Sequence, residues 1–273
     1  MEYGDKHILV LGAGASGIGA SWVLAQVGAH VVLNDYKPVT LPADEEKRLV
    51  SAGVDIITGR QDESLLDGVD RIVISPGISL DIPIVKAAQD RGIDVVSEVE
   101  LAYEVSKSPI VAVTGTNGKT TTTTLLTKVL EGSGKPVRVG GNIGDSLSEV
   151  AYSMPAGGFL VAELSSYQLE TIKHFRPIGA IMLNITPDHL ARHKTMENYI
   201  AAKERIFENQ LKSDYLVLNI DDSVVADMEH RAPSHILQIS QKQTVENGAY
   251  YANGQCYVCL LYTSPSPRDP KTS

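Results

Sequence analysis

Cysteine is nearly absent. The 273 residues hold two, Cys256 and Cys259, which cannot build a disulfide framework and fit a reducing compartment, so the expected location is the cytoplasm. Aromatic residues make up 5% of the chain, too few for the interleaved stacking surfaces that grip single-stranded nucleic acid. Cationic residues are also in deficit: 24 Lys and Arg stand against 33 Asp and Glu. The net charge of -9 argues against a protein that holds nucleic acid chiefly by neutralising phosphates. That balance leaves room for a local anion pocket. No apolar run approaches the roughly 18 residues a membrane helix needs. The start, MEYGDKHILVLGAG, runs directly into a glycine loop without a signal-type cleavage region. A soluble protein with no membrane insertion and no nucleic-acid partner is expected.

What is present is enough apolar material for real cores, at 43% of residues, and a length that suits two domains. Over the first hundred residues, short β-branched runs alternate with amphipathic stretches: HILVLG (7–12), HVVLND (30–35), DIITG (55–59), RIVISPG (71–77) and DVVSEVEL (94–101). That rhythm means a parallel sheet covered by helices, a Rossmann-like α/β domain over 1–107. A second series follows Ser108-Pro109, with strands IVAVTG (110–115), PVRVGG, FLVAEL (159–164), AIMLNI (180–185) and YLVLNI (215–220). It reads as a P-loop-type central α/β domain over 108–255. After Ile239, Asn247-Gly248 and Asn253-Gly254 between alternating residues predict hairpins, and the parallel pattern is expected to stop. Residues 256–273 carry three prolines near their end and no amphipathic period. They read as a disordered tail foreign to the fold, which leaves the central domain incomplete.

Two glycine loops carry the chemistry. Gly12-Ala13-Gly14-Ala15-Ser16-Gly17 follows a strand and opens a helix, and Asp35 ends the next strand. Glycines let backbone approach a pyrophosphate at a helix N-terminus, and a carboxylate at that strand end accepts from a ribose hydroxyl. A ligand-free tight turn would use the same residues, and the motif does not choose among NAD, FAD and a UDP-sugar. The stronger signal is Gly115-Thr116-Asn117-Gly118-Lys119-Thr120-Thr121, again between strand and helix. Its backbone N–H groups suit phosphates, Lys119 suits the β/γ-phosphates, and the Thr120 hydroxyl suits Mg²⁺. Val113 stands where the usual first glycine would be, so the loop is shorter.

Other candidates gather at strand ends. Glu163 closes FLVAEL, where it serves either as a Mg²⁺ ligand or as a cap on the following turn. Asp188 and His189 follow AIMLNITP, either as a solvated turn or as part of the same edge. Lys203 falls inside the apolar stripe of TMENYIAAKERIFENQ, beside Tyr199, Ile200, Ile206 and Phe207. It is either a snorkelling lysine or a desolvated amine open to chemistry or modification. Ser75-Pro76-Gly77 and Gly140-Gly141-Asn142-Ile143-Gly144 are strand-end loops, binding surfaces or plain turns. Cys256-x-x-Cys259 lacks a second ligand pair and is read as two incidental thiols.

Taken in order, LGAGASG, NDYKP, SPGI, SEVEL, VTGTNGKTTTT, GGNIG, AELSSYQLE, LNITPDHLARH and YIAAKERIF resemble the Mur ligases over about residues 5–255. The SSYQL after Glu163 and the dinucleotide-type first domain bring the chain nearest to members that add D-glutamate to UDP-N-acetylmuramoyl-L-alanine. The resemblance implies that Gly14, Ala15, Ser16, Asp35, Ser75 and Gly77 hold the UDP portion, with Asn142 and His189 beside the same substrate. It implies ATP on Gly115–Thr121 and two Mg²⁺, the first served by Thr120 and Glu163, the second by His189 and a carbamylated Lys203. Lys119, His189 and Lys203 would be the catalytic residues, the substrates UDP-N-acetylmuramoyl-L-alanine and D-glutamate, and the state a monomer. A third, C-terminal domain of the family is missing from the sequence. The chain as it stands is therefore expected to bind the UDP substrate, to bind ATP weakly at most, and not to ligate. A NAD-dependent oxidoreductase leaves GTNGKTT unexplained, and a P-loop switch leaves the first loop and Asp35 unexplained. A sister Mur ligase is the remaining alternative.

Overall fold

A computed structural model describes residues 3–260, which form two largely parallel sheets. The first is built from β1 (His7–Leu11), β2 (His30–Asp35), β3 (Asp55–Thr58), β4 (Arg71–Ile74) and β5 (Asp94–Ser97), in the order β3-β2-β1-β4-β5. Helices α1 (Ala15–Gln26), α2 (Ala43–Ser51), α3 (Pro83–Asp90) and α4 (Glu98–Val105) connect or follow these strands. Leu9, Leu11 and Ile72 fill one face of the sheet, and Ile8, Val10 and Leu33 fill the other. The order reverses between β1 and β4, where Leu11 pairs with Ile74. A crevice therefore opens beyond the carboxyl ends of those two strands. The glycine loop after Leu11 and the Ser75–Gly77 loop after Ile74 both lie at that point.

The second sheet comprises β6 (Ile110–Thr114), β7 (Val137–Gly141), β8 (Phe159–Glu163), β9 (Gly179–Met182), β10 (Tyr215–Asn219), β11 (His235–Ser240), β12 (Gly248–Ala252) and β13 (Gln255–Cys259). The order is β13-β12-β11-β10-β9-β6-β8-β7. Its helices are α5 (Lys119–Glu131), α6 (Leu147–Ser153), α7 (Ser166–Leu169), α8 (Leu190–His193), α9 (Met196–Glu204) and α10 (Ser223–Asp227). At the centre Ala112 pairs with Ala162 on one side and Ala180 on the other. One step further on, Val113 pairs with Glu163 and Ile181, so the phosphate-type loop and Glu163 leave the sheet at the same edge.

Four expectations change. The run 94–101 is strand only to Ser97. Ser97 takes an extended N-cap conformation, and Glu98 and Glu100 enter the first turn of α4, where acids complement the helix dipole. Glu98-Val99-Glu100-Leu101 alternates as a strand does, but its two acids are as buried as its apolar residues, so the period does not separate strand from helix. Asn247-Gly248 turns no hairpin, because Gly248 pairs with Gln238 in a parallel ladder that extends the sheet one strand further. Asn253-Gly254 does turn one. Both residues have positive φ (52° and 79°) between the antiparallel β12 and β13, as a two-residue hairpin demands. Cys256–Cys259, placed in the tail by sequence, are the body of β13, with the Tyr257 ring stacked on Tyr250 at 5.0 Å. The remainder of that expected tail, 261–273, lies outside the described residues. The predicted helix around Lys203 splits into α9 and a 3-10 turn at Arg205–Phe207.

Helix α4 joins the two halves through two buried acids. Glu98 is 2% exposed, and its Oε1 accepts from the Ser146 hydroxyl and the Ser148 N–H, both at 2.6 Å, so it caps α6 from outside that helix. Burial pushes the Glu98 carboxyl above the usual range. Glu100, with no exposed surface, accepts from the backbone N–H of Lys173 (2.7 Å), His174 (2.8 Å) and Phe175 (3.0 Å). Such orphan donors are costly to leave unpaired. Glu100→Ala is expected to lower stability to urea by about 2–4 kcal/mol. A loss below about 0.5 kcal/mol in the fitted unfolding free energy would show that Glu100 does not join the halves.

Candidate functional site

The first crevice is closed on itself by short contacts. Gly17 must be glycine, because a Cβ there would stand 1.7 Å from the Gly12 carbonyl oxygen as α1 presses on the loop. Gly14 is the N-cap of α1, and Ala15 and Ser16 open its first turn. Asp35 accepts through Oδ2 from the Ala13 N–H and through Oδ1 from the Lys37 N–H, both at 3.0 Å. Each carboxylate oxygen keeps a lone pair for a hydroxyl donor. The Ser75 hydroxyl donates to the Gly12 carbonyl at 3.3 Å, which ties the second loop to the first, and Gly77 is exposed beside it.

The second site is a braced loop. Asn184, just past β9, accepts from the Asn117 N–H at 2.8 Å, donates to the Asn117 carbonyl at 3.0 Å, and takes the Thr116 N–H on its own carbonyl at 2.8 Å. The Thr116 hydroxyl lies 3.0 Å from the Tyr199 hydroxyl, with Thr186 N–H donating to it. The Lys119 amine bends back to the carbonyls of Gly115 (3.1 Å) and Thr116 (2.9 Å). Gly118 caps α5 in a left-handed conformation, and Thr120 and Thr121 stand exposed in the first turn.

Glu163 is 1% exposed. Its Oε1 accepts from the Asn142 amide at 2.8 Å, while Oε2 has no hydrogen-bond partner among the described residues. A buried carboxylate oxygen without a donor calls for a cation or a proton. Gly141 is required at this point because a Cβ would lie 2.4 Å from the Glu163 carbonyl. The SSYQL segment behind it is a capping box: the Ser165 hydroxyl takes the Gln168 N–H and Gln168 reaches back to the Ser165 N–H, which starts α7 at Ser166, two residues after Leu164.

Lys203 does not snorkel. At 2% exposed it donates to the Gly115 carbonyl at 2.8 Å, with its amine 4.9 Å from the centre of the Tyr199 ring. Burial first, and then repulsion from Lys119 on the same carbonyl, lower its pKa to about 7, against a smaller opposing pull from Asp188. His189, at φ 52°, sits 3.4 Å from Asp188 and 4.9 Å from the Tyr167 ring. No hydrogen bond or ion pair among the described residues joins His189 to Lys203, or Thr120 to Glu163.

Asn184 and Tyr199 brace the loop through contacts made by the fold. Both stand inside the ordered motifs LNITPDHLARH and YIAAKERIF, but neither was marked there as a site residue. Among the described residues no three His, Cys, Asp or Glu converge as a metal cage.

The fold and the site define an α/β protein of phosphate-loop type with a second, nucleotide-type crevice. The profile for the Mur ligase middle domain matches residues 113–261, and that for the Mur ligase MurD-like N-terminal domain matches 6–97. The chain belongs to the Mur ligase family, which removes the oxidoreductase alternative for the first loop. It is 46% identical over 258 residues to the UDP-N-acetylmuramoylalanine--D-glutamate ligase of Caldanaerobacter subterraneus subsp. tengcongensis, across 94% of this chain and 57% of that protein. It is 44% identical over 257 residues to the protein of the same name from Halalkalibacterium halodurans, at the same two shares. The chain thus spans a little over half the length of these curated relatives. A solved ligase from Neisseria meningitides, UDP-N-acetylmuramate:L-alanyl-gamma-D-glutamyl-meso-diaminopimelate ligase, shares the fold with a TM-score of 0.60 at 21% identity. That likeness covers 90% of this chain and 80% of the other.

Because the Lys203 pKa is depressed, the unfolded chain binds more protons than the folded one between pH 7 and the ordinary lysine value of 10.5. The penalty is full below pH 7 and fades as pH rises through that window. Lys203→Met is expected to be more stable than the parent by a few kcal/mol, on the order of the shift, near pH 6–7. The difference should narrow toward pH 10. A gap in denaturant midpoint that does not change with pH would contradict the desolvated-amine account.

Proposed function

We propose that the protein containing this chain is an ATP-dependent ligase of peptidoglycan precursor synthesis that joins D-glutamate to UDP-N-acetylmuramoyl-L-alanine. The observation that carries the reading is the meeting, at one sheet edge, of a braced phosphate-type loop, a buried carboxylate with a free oxygen and a desolvated lysine. The two curated relatives named above are called UDP-N-acetylmuramoylalanine--D-glutamate ligase. The first-sheet crevice takes the UDP moiety, with the ribose hydroxyls on Asp35, the pyrophosphate on Gly14–Ser16 and the Ser75–Gly77 loop closing over it. Asn142 and His189 face the reacting end.

A carboxylate is a poor electrophile. Its oxygen attacks the γ-phosphorus of ATP, ADP leaves, and the acyl phosphate is attacked at carbon by the D-glutamate amine with loss of phosphate. Lys119, freed from its loop carbonyls, offsets the charge of the transferring phosphoryl group. Glu163, Thr120, His189 and Lys203 are the residues that would hold two Mg²⁺, which when bound neutralise the repulsion between two anionic substrates. A neutral Lys203 amine near pH 7 attacks the carbon of CO₂ and loses a proton, giving a carbamate. Carbamylation replaces a cation that would repel Mg²⁺ with an anionic oxygen donor. Thr121, Thr116, Asn117 and the Gly115 and Gly118 backbone cradle the phosphates. The work is cytoplasmic and the chain a monomer.

Calorimetric titration with UDP-N-acetylmuramoyl-L-alanine, alongside NADH, tests the first crevice. Saturable binding that weakens at least tenfold in Asp35→Ala, with no NADH response, is expected, and NADH binding in its place would overturn the reading. With ¹³C-labelled bicarbonate, a carbamate carbon signal is expected in the parent and absent from Lys203→Met. Its absence from both would remove the carbamate.

A further inference from the structure

One side chain spans the two candidate sites and belongs to neither. Arg192 lies in α8, three residues beyond His189, and its backbone N–H donates to the His189 carbonyl at 3.0 Å, so the two share one turn. Its guanidinium has three partners. Nη1 donates to the Pro76 carbonyl at 3.0 Å, Nη2 donates to Glu170 Oε2 at 2.5 Å, and the group lies 4.6 Å over the Tyr167 ring. The Arg192 and Glu170 side chains are 19% and 15% exposed, so the pair is largely shielded from water.

Pro76 leads to one site, and Tyr167 and Glu170 lead to the other. Pro76 stands between Ser75 and Gly77, and its loop is fixed to the glycine loop by the Ser75 hydroxyl on the Gly12 carbonyl and by Ser75 N–H on Leu11. Tyr167 and Glu170 follow Glu163 on the α7 segment, and the Tyr167 ring also touches His189. Glu170 is held in turn by His193, whose Nδ1 is 3.5 Å from Oε1. An exposed second contact, Lys194 with Asp81 at 3.5 Å, crosses to the same first-half segment. The planar fork of arginine reaches a carbonyl and a carboxylate while stacked on an aromatic ring. The single ammonium of lysine has no such geometry.

We propose that Arg192 is a positioning residue that couples the two sites. It fixes the Ser75–Gly77 loop against the His189 turn, so that a nucleotide ordering one side prepares the other. The coupling rests on the ligands assigned under Proposed function. It is reciprocal: a UDP ligand that orders Pro76 tightens the Mg·nucleotide site by the factor by which Mg·ADP tightens the UDP site.

The test measures the dissociation constant of UDP-N-acetylmuramoyl-L-alanine on the whole chain, by calorimetry, with and without saturating Mg·ADP. The parent is expected to bind at least about fivefold tighter with Mg·ADP present. Arg192→Ala should bring that ratio to about one while each ligand alone keeps its affinity within about twofold, a pattern that general destabilisation does not produce. Hydrogen exchange of the Ile78 amide, which donates to the Ser75 carbonyl at 3.0 Å, should also speed up in the ligand-free variant. Both ligands binding the parent without coupling, or a parental ratio in Arg192→Ala, would overturn the proposal and leave the assigned function standing. Silence of the parent toward both ligands would bring down the functional reading and this proposal together. Should Arg192→Ala lose its fold, Arg192→Lys serves: a low ratio supports the fork, and a parental ratio overturns it.

Discussion

The carbonyl oxygen of Gly115 accepts from two lysine amines, and much of the central sheet is arranged so that it does. One amine, Lys119, comes from the helix the loop itself begins. The other, Lys203, arrives from α9 and is buried among apolar side chains to get there. Two like charges on one acceptor are tolerable only if one of them gives up its proton easily, and burial and repulsion together do that to Lys203. The protonated amine is the costly form, and the cost falls as the proton is given up.

The Glu163 carboxylate poses the complementary problem on the neighbouring strand. It too is buried, with one oxygen answered by Asn142 and the other by no donor among the described residues. A carboxylate with an oxygen that lacks a donor and a desolvated amine stand at one sheet edge beside a phosphate-type loop, and each is costly to bury in its charged form. The glycines at 115 and 141 serve this crowding, since a Cβ at Gly115 would lie 2.9 Å from the Leu183 Cβ and one at Gly141 would strike the Glu163 backbone.

The two halves are not independent carriers of two loops. Glu98 and Glu100 take up backbone N–H groups of the second half, and Arg192 reaches back to the first. These contacts run between buried or half-buried groups, where a lost partner leaves an unpaired polar atom that water does not fully reach.

Local chemistry was legible in the sequence where it obeyed a local rule. The strands at 7–11, 30–35 and 110–114, both glycine loops, Asp35 at its strand end and the Asn253-Gly254 turn all follow from side-chain period and backbone freedom. So did membership of a family, carried by ordered motifs. The strand-to-helix change at Ser97 was hidden because Glu98-Val99-Glu100-Leu101 alternates as a strand does, and Gly248 was misread because an Asn-Gly pair looks the same in a hairpin and at the start of a parallel strand. Lys203 shows the division best. Its place in an apolar stripe was visible, but spacing along one helix does not reveal what lies opposite. Only the placement of α9 against α7, with Lys203 reaching the end of β6, decided that its amine meets the Gly115 carbonyl rather than water. Arg192 and Glu170 likewise acquire partners more than a hundred and about twenty residues away, and contacts over such separations are set by the assembled sheets and by nothing in the local sequence.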